Sequence, residues 1–122
     1  MGKVLSQHQI ESYHKKGFIS PIDVMSEDEA NAYAEKLKAA EAKYPKDLTG
    51  VNRNNGHLCF KFLDDLAYHP KVLDAVEDLL GSSFSLWGSV LFIKEPNSSH
   101  FVSWHQDATY MGITPHNFVT PW

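Results

Sequence analysis

The pattern of the chain changes at Gly81, and no other feature limits its fold as strongly. Before it, apolar residues recur at helical spacing: Ala30, Tyr33, Leu37, Ala40 and Tyr44 form one stripe, and Val72, Leu73, Val76, Leu79 and Leu80 another. After it comes FSLWGSVLFI over 84–93, a run of aromatic and β-branched residues with no helical period. Two further extended stretches follow at 101–107 and 119–122. Helices first and strands second is an α+β order. With 122 residues there is room for one domain around one core, here divided into a helical part over 1–81 and a strand-forming part over 84–122.

Helix boundaries can be placed from capping chemistry. Ser6 with Gln9 has capping-box spacing and Gly17 is a natural stop, so a helix is predicted over 7–16. Ser26 can cap the amide of Glu29 while Glu29 reaches back, and Glu27, Asp28 and Glu29 suit the positive end of the helix dipole. That helix runs to Pro45, and residues 45–56 read as a polar loop. A short helix is expected over 60–67. Pro70 fits the first turn of another, which Gly81 ends. An extended segment is expected around Pro21.

Charge and cysteine usage narrow the functional classes. The formal net charge is −4 and the signs are interspersed, so nothing favours a nucleic acid or an anionic membrane as partner. A single cysteine, Cys59, allows no intramolecular disulfide and suits a reducing compartment. No stretch has the length or apolarity of a signal peptide or a membrane span, and a cytoplasmic location is expected.

The segment with chemistry in it is Trp104-His105-Gln106-Asp107, followed by Tyr110. On an extended backbone, alternate side chains share a face, so His105 and Asp107 can offer an imidazole nitrogen and a carboxylate oxygen to one metal ion. Two histidines and a carboxylate on a ferrous ion leave three positions open, enough for a bidentate 2-oxo acid and dioxygen. His-x-Asp alone is weak, because a histidine beside a surface aspartate at a strand end gives the same spacing.

Several separated motifs add specificity. YHKKGFI over 13–19, SEDEA over 26–30, HPKVLDAVEDLLG over 69–81, LWGSVLFIKEP over 86–96, WHQD over 104–107 and Thr120-Pro121-Trp122 occur in this order. Together they resemble the N-terminal portion of the phytanoyl-CoA dioxygenase family, iron(II)- and 2-oxoglutarate-dependent oxygenases. The resemblance implies N-terminal helices followed by the first strands of a double-stranded β-helix, a jelly-roll or cupin-like barrel. It implies that His105 and Asp107 are iron ligands, and that Gln106, Trp122 and Val90 line the 2-oxoglutarate pocket. Trp104 and Tyr110 flank the metal strand on the substrate side, or else pack as aromatics at a sheet edge. The implied cofactors are Fe(II) and 2-oxoglutarate, and the implied partners a small-molecule substrate and dioxygen. The implied reaction hydroxylates a C–H bond and releases succinate and carbon dioxide. Asp107 favours hydroxylation over halogenation, since the family's halogenases carry a small residue at that position.

The chain departs from the family pattern in two ways. Members supply a second iron-ligating histidine and an arginine for the far carboxylate of 2-oxoglutarate, both well beyond the His-x-Asp motif. Here His116 falls in a loop between Pro115 and Asn117, and no arginine follows Arg53. The expectation is a truncated oxygenase that is inactive alone, and the alternative is a non-catalytic truncated product whose helical front half serves as a binding or dimerisation surface. A zinc hydrolase using His105, Asp107 and either His100 or His116 has no defensible ligand spacing. Neither substrate identity nor oligomeric state is legible.

Overall fold

A computed structural model describes residues 2–48 and 53–122. Among the described residues, five helices carry the fold: α1 (Gln7–Lys16), α2 (Glu27–Lys43), α3 (Lys61–Ala67), α4 (Pro70–Leu80) and the short α5 (Ala108–Met111). A 3-10 turn at Gly56–Leu58 precedes α3. The polar loop expected over 45–56 lies partly outside the described residues, which omit 49–52. Among the described residues, no helix is long and apolar enough to cross a membrane.

Capping chemistry explains the boundaries. Ser6 and Gln9 form a reciprocal capping box, and Gly17 closes α1 at φ 81°, a left-handed conformation that glycine adopts without steric penalty. Ser26 Oγ accepts the Glu29 amide at 3.2 Å. The Glu29 carboxylate turns instead toward His69, with Oε1 3.6 Å from Nε2, and so links the start of α2 to the N-cap of α4. Pro70 occupies the first turn of α4, where its missing N–H costs nothing.

The core is small. Leu5, Ala40, Leu48, Leu63 and Ala75 are the buried apolar side chains among the described residues. Leu5 reaches it on an N-terminal strap held by Asp78 of α4. Asp78 Oδ1 accepts the Lys3 amide at 2.7 Å. Its Oδ2 accepts the amides of Val4 and Leu5, both at 2.8 Å. Desolvation works to raise the Asp78 pKa, but the three amide donors and the nearby Lys3 ammonium outweigh it and hold the carboxyl below its ordinary 3.8. Arg53 makes a second tie, from Nε to the Leu48 carbonyl at 3.2 Å and from a terminal nitrogen to Glu41 Oε1 at 3.3 Å.

The expected barrel strands do not occur among the described residues. No β-strand occurs among the described residues, and the α+β, double-stranded β-helix expectation is corrected to a helical fold with extended, unpaired segments. Among the described residues, 84–93 pairs its backbone only with the 53–55 segment, through an isolated antiparallel bridge between Asn54 and Val90. Its backbone bonds run from the Asn55 amide to the Ser89 carbonyl at 2.6 Å and from the Leu91 amide to the Arg53 carbonyl at 3.2 Å. β-Propensity describes a fit to a half-buried pleated surface, and none of the described residues offers 84–93 such a surface. Segment 101–107 ends in a helical turn, since Asp107 has φ −59° and ψ −26° and N-caps α5. Segment 119–122 likewise pairs with no strand.

Candidate metal-binding pair

Backbone geometry around Asp107 brings the two expected ligands together. Ser103 lies two residues before His105, and its carbonyl oxygen sits 2.8 Å from His105 Nδ1. A carbonyl only accepts, so this contact places the proton on Nδ1 and leaves Nε2 as the exposed donor atom. Nε2 lies 3.1 Å from Asp107 Oδ1. The side chains converge because the chain enters the α5 turn at Asp107, not through the alternation of a strand.

That spacing has two physical explanations. With a protonated imidazole, Nε2 donates to the carboxylate in an ordinary ion pair. With a neutral imidazole, two lone pairs face each other, an arrangement that a shared cation stabilises. Metal–ligand bonds of about 2.1 Å at right angles put adjacent donors about 3.0 Å apart, so the pair fits one edge of an octahedral site. A backbone carbonyl holding the second ring nitrogen is the usual support of a metal-bound histidine. The pair therefore has the spacing of two adjacent corners of such a site. A third corner is not supplied: among the described residues, no group of three or more His, Cys, Asp or Glu is arranged to hold an ion.

The other expected residues surround the pair unevenly. Tyr110 meets His105 edge-on, with ring centroids 5.9 Å apart. Trp104 is 97% exposed, so it packs against no sheet edge. Gln106 is exposed, and its carbonyl accepts the Thr109 amide at 3.1 Å. Trp122 stacks on Phe92 at 5.5 Å with the rings 17° from parallel. That stack joins the tail to the segment carrying Val90, which is itself half exposed in its bridge to Asn54. His116 sits in a turn where the Asn117 amide reaches the Pro115 carbonyl at 2.8 Å, and it completes no donor group.

The sequence reading placed Thr120 in a motif but gave it no role at the site. Its hydroxyl donates a hydrogen bond to Asp107 Oδ2, the oxygen turned away from His105. The available signal was Pro121, which limits the backbone freedom of the residue before it. A separate cleft of about 370 Å³ is lined by residues including Tyr44, Leu48, Cys59 and Phe60. None of the expected site residues forms its walls.

A family model described as phytanoyl-CoA dioxygenase (PhyH) matches residues 13–122. No curated protein and no solved structure matches the chain.

Proposed function

This chain belongs to the phytanoyl-CoA dioxygenase family, and we propose that it contributes His105 and Asp107 to an iron(II)- and 2-oxoglutarate-dependent centre that hydroxylates a C–H bond of a small-molecule substrate. Family membership supports the oxygenase class. The observation that carries the metal reading is the 3.1 Å approach of Nε2 to Oδ1 while the other ring nitrogen is committed to the Ser103 carbonyl.

When bound, iron with 2-oxoglutarate would supply the activation of dioxygen and the oxidising power for hydroxylation, with succinate and carbon dioxide as by-products. The chain's own residues bind and orient. His105 offers a neutral nitrogen, and Asp107 offers a charge that offsets the cation. Gln106, Val90 and Trp122 are the side chains proposed to line the cosubstrate, and the exposed rings of Trp104 and Tyr110 are proposed for the substrate side. Arg53, the one arginine, is engaged by Glu41 and the Leu48 carbonyl. The third protein ligand and the cation for the far carboxylate of 2-oxoglutarate therefore come, in this reading, from groups other than these residues.

The test is anaerobic Fe(II) titration of the chain, His105→Ala and Asp107→Ala, followed by succinate measurement in air with 2-oxoglutarate. Weak iron binding that either substitution abolishes is the expected result, with no succinate above the His105→Ala control from this chain alone. Unchanged iron binding in both variants refutes the assignment of the ligands.

A second reading, a non-catalytic binding or dimerisation module, draws on the exposed aromatics Phe101, Trp104, Tyr110 and Trp122. Light scattering separates the two. A metal-independent dimer that Trp104→Ser disrupts favours the module.

A further inference from the structure

We infer that Thr120 is a positioning residue for the metal centre: its hydroxyl fixes the Asp107 carboxylate so that one oxygen alone faces the ion. The inference rests on the metal reading of His105 and Asp107. The terminal torsion of an aspartate is broad and two-fold, so the two oxygens of a half-exposed carboxylate exchange places at little cost. Here they are distinguished. Oδ2 accepts from Thr120 Oγ1, and Oδ1 points at His105 Nε2, 3.1 Å away.

Three properties of Thr120 suit this task. Its side chain is β-branched and stiff about the first torsion. Pro121 restricts its backbone to extended conformations. Its hydroxyl is a neutral donor, so it orients the carboxylate without cancelling the charge a cation needs; a lysine or arginine in the same place would compete with the ion. Thr120 is 13 residues from Asp107 in sequence, and the bond therefore ties the tail of the chain to the donor pair.

The consequence concerns coordination number. A carboxylate free to turn can offer both oxygens to a metal and fill a position that cosubstrate or dioxygen needs. Holding Oδ2 in a hydrogen bond keeps Asp107 a one-oxygen ligand. Loss of a supporting contact of this kind commonly weakens metal affinity about 10- to 100-fold. For a bond at the surface, about tenfold is expected.

The experiment titrates the full chain with Co(II) alone, reading the dissociation constant and the visible ligand-field bands. Thr120→Val keeps the shape and removes the donor, while Thr120→Ser keeps the donor. The expected result is about tenfold weaker binding and altered bands for Thr120→Val, with Thr120→Ser within about twofold of the parent. Equal binding by Thr120→Val and the parent, while His105→Ala loses binding, overturns the role of Thr120 and leaves the metal reading intact. Equal loss in both Thr120 variants overturns it too, because packing is then responsible. If His105→Ala binds Co(II) as the parent does, the metal reading falls and the inference falls with it.

Discussion

Asp78 gathers three backbone amides of the N-terminal strap, so Asp78→Ala, which removes both acceptor oxygens, should undock the strap as a unit. Each hydrogen bond contributes about 0.5–1.5 kcal/mol net, and solvent around most of this site places the three toward the lower end, about 2 kcal/mol together. Leu5, carried by the same strap, is only 2% exposed, and its truncation to alanine should cost about 2–3 kcal/mol. The two effects are not independent. Once Asp78→Ala has released the strap, Leu5 is no longer held in the core and its truncation removes little. The double variant should therefore lose about 3 kcal/mol, with a coupling of about 1–2 kcal/mol between the sites. Urea unfolding of the parent, both single variants and the double variant measures this, provided the denaturant slope is unchanged. Additivity of the two single losses to within about 0.5 kcal/mol would refute the idea that one carboxylate governs the burial of Leu5.

The pH dependence of the strap follows from the same group. The folded pKa of Asp78 is depressed, so its stabilisation is fully present above the ordinary 3.8 and disappears as pH falls through the lower folded value. The protection of the Val4 and Leu5 amides against exchange, corrected for their intrinsic rates, should fall only below 3.8, and a fall in protection near neutrality would contradict the assignment. Ser26→Ala should cost about 1 kcal/mol by leaving the Glu29 amide without its cap, with Ser26→Asp close to the parent in thermal unfolding. Gly56→Ala places a Cβ 2.7 Å from Leu63 Cδ1 at a buried position, and a loss of about 1–2 kcal/mol in urea is expected; a variant as stable as the parent would show that Leu63 moves aside freely.

The helices were legible because their signals are local. Ser6 with Gln9, Ser26, Pro70, Gly17 and Gly81 act within a turn of where they stand, and each marks the boundary expected of it. Glu29 is an instructive exception: its spacing allowed a reach back to Ser26, but a partner 40 residues away, His69, engages it instead. The segments after Gly81 were misread because strand propensity registers suitability for a sheet, which only other segments can provide. Val90 and Leu91 meet a stretch of 53–55 that looked like loop, and that contact stops at a single bridge. At the candidate site, the meeting of His105 with Asp107 was anticipated from spacing, but the turn that produces it was not. The bond from Thr120 depends on how the tail returns, and no residue pattern encodes that directly.

The donor pair is assembled almost wholly from near neighbours. Ser103, His105 and Asp107 are adjacent or nearly so in sequence, and their arrangement can be reached by rotating a handful of bonds. Such an arrangement forms on the timescale of a turn, well ahead of any pairing between distant segments. On the proposed metal reading, an ion arriving early in folding would thus find these two side chains already grouped, and the contact with Thr120 would close behind it.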